Sequence, residues 1–244
     1  MAEITVQPGQ PAALGLLARA VGIIISPRDT YERLVARPRV LGALLLVAVI
    51  GAVLVGGFLM TEVGKRAWLD QAVTQSEAFS GSPVSDQQYA AMEKMQGLAA
   101  YLAIGQMLIA MPLVMLILAG ILFAVFNAAM AGNATFKQLY SVIVHSAFVW
   151  VVGWIFVLPM NYFRESMSSP TNLSVLFPML EEGTFFNKLL GSVDVFMMWW
   201  VIVLAIGVGV LYRRRTQPIL LSFLSVYAVI AIAVAAIFSR GGGR

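Results

Sequence analysis

The sequence predicts an all-α integral membrane protein with five transmembrane helices and N-terminal interfacial amphipathic helices. Hydrophobic residues make up 60% of the 244 positions and charged residues only 11%. A soluble domain is about half apolar and about one quarter charged. Five long apolar runs contain no Asp, Glu, Lys or Arg. As helices, runs of this length can cross a hydrocarbon core of about 30 Å.

The N-terminal part is expected to lie on the cytoplasmic face. Residues 1–10 are interpreted as a disordered tail and residues 11–38 as interfacial helices, since the first apolar stretch is too short and too interrupted to span. Ser26–Pro27 has the pattern of a second helix start, with serine as the cap, proline in the first turn and Asp29 three residues after the cap. That helix is predicted to end at Arg37–Pro38, because proline disfavours helical geometry in the preceding residue.

The remaining chain is interpreted as a membrane domain over residues 39–239, followed by a tail over 240–244. Pro112 predicts a tilt, a kink or a protruding end in the second span. The third span is expected to close at Pro159. The long polar loop after the first span contains a possible helix from Ser85 to Gln96 that runs into the second. The predicted spans are 40–60, 98–126, 139–158, 195–212 and 219–238.

The short arginine turn between the last two spans sets the predicted orientation. Arginines cross a bilayer reluctantly, so Arg213–Arg215 are expected on the cytoplasmic side. With five spans this places the N-terminus inside and the C-terminus outside. The cytoplasmic segments then carry nine basic residues and the two outside loops five. This distribution favours the same orientation.

Small residues recur every four positions in three of the runs, which predicts close helix contacts in lipid. Contacts within one chain are favoured over homodimerisation. The rows are Ala48, Ala52 and Gly56, then Gly120, Ala124, Ala128 and Gly132, and finally Ala205 and Gly209.

Three stretches together resemble the Yip (Ypt/Rab-interacting protein) domain family, in its bacterial branch. Ile25–Leu34, with Arg37–Pro38, looks like the family's serine–proline segment before the first span. Gly132–Ser141 looks like its turn between spans two and three, a glycine followed by Ser/Thr–Phe. Leu190–Trp199 resembles the block that opens span four. The resemblance covers Leu14 to Phe238.

The resemblance implies five spans with a cytoplasmic N-terminus, and for eukaryotic members it implies membrane traffic and shaping through partners. The aspartate-rich cytoplasmic motif of eukaryotic members is absent, so Rab binding is not expected. For a bacterial member, the location implied is the inner (plasma) membrane.

Two groups of residues are candidate sites. A basic surface for anionic headgroups or partner proteins comprises Arg28, Arg33, Arg37, Arg39, Arg213, Arg214 and Arg215. An intramembrane polar site comprises Gln106, Ser141, His145, Ser146 and Asp194. Structural interpretations are favoured for the second group. Asp194 suits an interfacial helix cap, and His145 suits a contact between helices.

The favoured hypothesis is a non-enzymatic scaffold or organiser of membrane partners or lipids. The alternative is a small transporter or channel subunit with a polar cavity near His145, Gln106 and Pro112. An enzyme ranks last, because no catalytic constellation is present. The chain has no cysteine and one histidine, so no cofactor or metal is expected. Expected partners are the lipid bilayer, membrane proteins or a second copy, and not nucleic acid.

Overall fold

The computed structural model describes residues 14–181 and 183–239, so the predicted tails 1–10 and 240–244 lie outside the described residues. The described chain is helical, with short 3₁₀ and π turns and one isolated bridge between Asn172 and Asp194. Its α-helices are α1 Leu16–Ile25, α2 Pro27–Ala36, α3 Leu41–Met60, α4 Glu62–Ser80, α5 Asp86–Gly105, α6 Met111–Phe123, α7 Phe136–Ser146, α8 Phe148–Arg164, α9 Phe185–Ser192, α10 Val195–Leu211 and α11 Thr216–Ser239.

Four helical stretches of the described chain are long and apolar enough to cross a membrane. They are α3, the continuous rod Asp86–Ala129, the rod Phe136–Arg164, and α11. Helix α10 is equally apolar but has only 17 residues. At about 1.5 Å per residue it is roughly 26 Å long, slightly less than a core of about 30 Å. By length and composition, the described chain therefore has four candidate membrane-spanning helices, and α10 falls just short.

The second span is one rod of 44 residues that begins well before the apolar run. Ser85 and Gln88 form a capping box at its start, so the helix predicted from Ser85 continues directly into the span. Two π turns interrupt the rod, Gln106–Ala110 and Ala124–Ala129. The first lies just before Pro112. Its wider turn accommodates a proline, which lacks an N–H to donate, without ending the helix.

The helix of the third span ends later than the expected position, Leu158. Helix α8 continues through Pro159 to Arg164. It stops where Glu165 adopts a left-handed conformation (φ 51°) and the N–H of Ser166 donates to the carbonyl of Asn161. A proline removes one helical hydrogen bond, but here the left-handed turn sets the end.

Helix α4 lies in a segment that the sequence pattern suggested was a polar loop. Thr61 caps it by accepting a hydrogen bond from the N–H of Gly64, and Gly81 ends it in a left-handed conformation. Ala67 and Leu69 are buried, and α4 packs against α3 and α5. A threonine cap and a terminal glycine are recognisable helix signals.

Helix α10 occupies the centre of the bundle, in contact with α2, α7, α8 and α11. Eight of its residues are buried, whereas α11 buries only three. Helix α10 is therefore covered mainly by protein, while α11 lies at the periphery.

Two of the three predicted small-residue rows lie at helix contacts, and the third makes a close contact only at its last residue, Gly132. The rows in α3 and α10 are buried. In the second rod, Gly120, Ala124 and Ala128 are exposed, while Ala119, Leu122 and Phe126 are buried. The prediction of an intrachain contact is therefore wrong for these three exposed residues. It holds for Gly132, where an added Cβ would come within 2.6 Å of the Tyr212 ring.

Candidate functional site

Helices α1 and α2, the N-terminal hairpin (residues 16–36), pack into one end of the bundle. Ile23 and Tyr31 have no exposed surface. The Tyr31 hydroxyl donates to the carbonyl of Val142, 3.4 Å away. The ring of Tyr31 lies over Gly207, where an added Cβ would come within 2.8 Å of it. The hairpin is therefore part of the buried core, whereas the sequence predicted a segment that only lies at the membrane interface.

The outer face of α1 is also apolar. Leu17 is 73% exposed and Ile25 74% exposed, so these side chains point away from the bundle. At the junction of the two helices, Ser26 makes no side-chain cap, which corrects the predicted serine cap. Thr30 instead donates to the carbonyl of Ser26 over 2.9 Å, and Pro27 occupies the first turn.

Helix α7 holds the segment between the hairpin and α3 through two side chains. Gln138 Nε2 donates to the carbonyl of Val35 over 3.0 Å. Ser141 Oγ donates to the carbonyl of Arg39 over 3.1 Å. Both acceptors are backbone atoms, at the end of α2 and just before α3. These bonds therefore hold the backbone that connects the two helices, whatever side chains that connection carries.

A buried pair joins Arg19 of α1 to His145 of α7. Arg19 Nη1 lies 2.9 Å from His145 Nε2, and His145 Nδ1 lies 2.8 Å from the carbonyl oxygen of Ser141. A carbonyl only accepts and an arginine only donates. His145 Nδ1 therefore carries the proton, Nε2 accepts from Arg19, and the imidazole is neutral.

The charge of Arg19 has no carboxylate partner among the described residues. The side chain is 7% exposed, and its Nε has no hydrogen-bond partner there. Burial, and secondarily the nearby Arg39, lower the pKa of its guanidinium, but the group stays charged because arginine is not deprotonated in proteins. The sequence does contain a sign that Arg19 faces the core. It stands four positions before the apolar Ile23, which puts both side chains on one face of the helix.

Apart from Ser141, whose carbonyl accepts from His145, the members of the predicted intramembrane site do not form polar contacts with His145. Ser146 is buried and donates to the carbonyl of Ile143 over 2.7 Å. Gln106 is exposed within the first π turn. His145 has no accessible surface, so it does not line a cavity that holds water. The geometry thus gives no support to a transport cavity shared by His145, Gln106 and Pro112.

Asp194 caps α10 at the far end of the bundle. Its Oδ1 accepts from the N–H groups of Phe196 (2.8 Å) and Met197 (3.2 Å). Its Oδ2 accepts from the hydroxyls of Ser169 and Thr171, each at 2.6 Å. Burial alone would raise the pKa of this carboxyl, but the four hydrogen bonds outweigh burial and hold the pKa below its usual range.

The predicted basic surface is partly gathered into one cleft of about 1010 Å³. Arg28 of α2 forms one wall, and Arg213–Arg215 of the turn between α10 and α11 form the other, with Gln138 of α7 also in the lining. Arg33, Arg37 and Arg39 are exposed on the same segment but lie outside this lining. We call this space the arginine cleft.

The arginine turn is tied to the turn between α6 and α7. The Tyr212 hydroxyl donates to Asn127 Oδ1 over 2.7 Å, and its ring stacks on Phe126 at 4.9 Å. Arg214 Nη2 donates to the carbonyl of Met130 over 3.2 Å. Since Gln138 also binds the hairpin, all three segments expected on one side of the membrane meet at one end of the bundle.

These features define the class of protein: a helical membrane protein with a buried N-terminal hairpin and a basic cleft at one end. A family model described as the Yip1 domain matches residues 21–238. The chain therefore belongs to the Yip1 domain family, a family of non-catalytic membrane proteins. No curated protein and no solved structure matches the chain.

Proposed function

We propose that the protein is a non-enzymatic organiser of membrane lipids or membrane partners that acts through its basic end. One observation carries the proposal. The docked hairpin and the arginine turn, which are far apart in sequence, come together to line the arginine cleft. Clustered arginines beside apolar helices attract anionic headgroups and acidic protein segments. The rigid attachment of the hairpin presents these charges in a fixed arrangement.

The five-span topology with a cytoplasmic N-terminus belongs to this proposal. It is supported by the two ends of α10. Its first residues follow Asp194, which bonds to Ser169 and Thr171 in one loop layer. Its last residue precedes Tyr212, which bonds to Asn127 in the opposite turn. Helix α10 thus runs from one end of the bundle to the other.

The bacterial branch and the plasma membrane are proposed on the resemblance described above. The aspartate-rich motif that eukaryotic members carry before the first span is missing from this sequence. The basic end would then face the anionic cytoplasmic leaflet, which attracts arginine at about 1 kcal/mol per residue near the surface.

Because the chain has no cysteine, single cysteines can map the topology. With an impermeant maleimide applied to intact cells, Ser82→Cys and Ser168→Cys should be labelled. Ala36→Cys and Gln217→Cys should react only after the membrane is permeabilised. All four residues are exposed. Ala36 is the last residue of α2, and the other three lie in loops or at a helix start. Labelling of Ser168→Cys and Gln217→Cys from the same side would contradict a spanning α10.

The organising role is tested by extracting the full chain from native membranes in a polymer that retains surrounding lipid. Anionic lipid or a membrane protein should be enriched over bulk membrane. Glutamine at all seven arginines of the basic surface should abolish the enrichment, because the charges are lost. The matched control is Arg66→Gln with Lys94→Gln, two exposed cations outside this surface. A surround identical to bulk membrane for the wild type would refute the proposal.

A further inference from the structure

We infer that the arginine cleft is a binding site for the headgroup of a phospholipid that carries two phosphate groups. The inference rests on the proposed function, since it names the ligand class of the same basic end. The cleft lies between α2 on one side and the start of α11 on the other. Each wall contributes guanidinium groups, so a ligand between them would be held from two directions.

The charges in the cleft exceed what a single phosphate would neutralise. Four arginines line it, Arg28 and Arg213–Arg215, against one acid, Glu32. Arg28 Nε lies 3.5 Å from Glu32 Oε1, and both side chains are largely exposed, so this pair is weak. Three positive charges remain in excess of the acid. A diester headgroup with two phosphates supplies two negative charges and several acceptor oxygens.

The donors of the cleft are only partly used. Arg214 donates one N–H to the carbonyl of Met130. The side chains of Arg213 and Arg215 make no hydrogen bond or ion pair with any described residue. Arginine presents N–H groups in a planar fork that matches two phosphate oxygens at once. The hydroxyl of Thr216 and the amide of Gln217 lie in the same lining.

The position of the cleft favours a lipid over free phosphate. Helix α11 begins in its wall at Thr216, and Leu221, just over one turn further along, is 65% exposed. Most of α11 beyond that point is exposed and apolar. A lipid whose headgroup lies in the cleft can therefore extend its acyl chains along α11. The volume of about 1010 Å³ also leaves room for more than one phosphate.

The turn offers a substitution that removes charge without strain. Arg213 has φ 53°, in the left-handed region, which suits glycine better than any other residue. Ala131 and Glu165 end their helices in the same way, so the conformation itself is not a sign of function. Arg213→Gly should therefore fold at least as well as the wild type while losing one guanidinium.

The test is native mass spectrometry of the purified full chain with cardiolipin, with phosphatidylglycerol at twice the molar amount, and with phosphatidylcholine. At equal phosphate, cardiolipin should bind at least about fivefold more tightly than phosphatidylglycerol. Arg213→Gly and Arg28→Gln should each weaken cardiolipin binding about fivefold. The matched control Arg33→Gln, on α2 but outside the cleft lining, should change it less than about twofold.

Three results would overturn the inference. Equal binding of the two anionic lipids would remove the two-phosphate preference. Equal losses from Arg28→Gln and Arg33→Gln would reduce binding to diffuse surface charge. Displacement of cardiolipin by inorganic pyrophosphate at comparable concentration would make free phosphate the ligand. None of these results would refute the proposed organising role. That role is tested separately, by the enrichment of membrane proteins or anionic lipid around the full chain in native membranes.

Discussion

Replacing His145 by leucine should lower the free energy of unfolding by about 3–5 kcal/mol, because it leaves the buried Arg19 charge without the acceptor it has among the described residues. Arg19→Leu should cost less, about 1–3 kcal/mol, since it leaves only the neutral Nε2 of His145 unpaired. The double variant should be more stable than His145→Leu alone. Two apolar side chains can replace a buried polar pair at little cost when both are changed together.

The measurement is a double-mutant cycle of unfolding in detergent, combined with limited trypsin digestion. Trypsin reports on the hairpin, because Arg28 and Arg33 are exposed on α2 and their backbone becomes cleavable only when α2 opens locally. His145→Leu should speed this cleavage most. His145→Gln retains an acceptor and should restore part of the protection. Additive effects, within about 0.5 kcal/mol, would show that Arg19 and His145 are not coupled.

Replacing Gly207 by alanine should lower stability by about 1–3 kcal/mol and detach α2 from the bundle. The new Cβ would lie 2.5 Å from Val142 Cγ1 and 2.8 Å from Tyr31 Cζ. Both neighbours are fully buried, so neither can move without disturbing the core. Unfolding in detergent gives the stability, and trypsin cleavage after Arg28 reports the position of α2.

Gly120→Ala is the matched control for Gly207→Ala. Gly120 is also a helical glycine, but an added Cβ there would meet nothing within 4 Å. It should be neutral or stabilising by up to about 1 kcal/mol, because alanine is the better helix former. If both alanine variants behaved alike, the close approach of Tyr31 to α10 would not be a determinant of stability.

Apolar runs predicted the helices of the membrane domain well, because burial in lipid requires a continuous apolar stretch and internally bonded backbone. Segment ends were harder to predict. The start of the second rod was predicted at Ser85, which provides a capping box, but α8 passes its expected end at Pro159 and stops at a later left-handed residue. Helix α4 was missed because its polar surface gives no span signal, although Thr61 and Gly81 flank it.

The candidate site was predicted in its parts but not in its assembly. The arginines of the basic surface were named from charge patterning, yet only the tertiary structure brings Arg28 beside the arginine turn. His145 was interpreted as a contact between helices, and it does bind Arg19 of α1, as well as the carbonyl of Ser141 in its own helix. The pairing with Arg19 spans 126 positions. No local pattern in a single sequence reports a contact of that separation.

That separation also delays the moment at which the hairpin can dock. Arg19 is synthesised 126 positions before its partner, and chains grow at about 5–20 residues per second. The hairpin must therefore wait for roughly 6–25 s before His145 exists, and longer until α10 supplies Gly207. During this interval its apolar and basic faces are available to chaperones, lipids and proteases. Docking of the first helices is thus among the last steps of biogenesis.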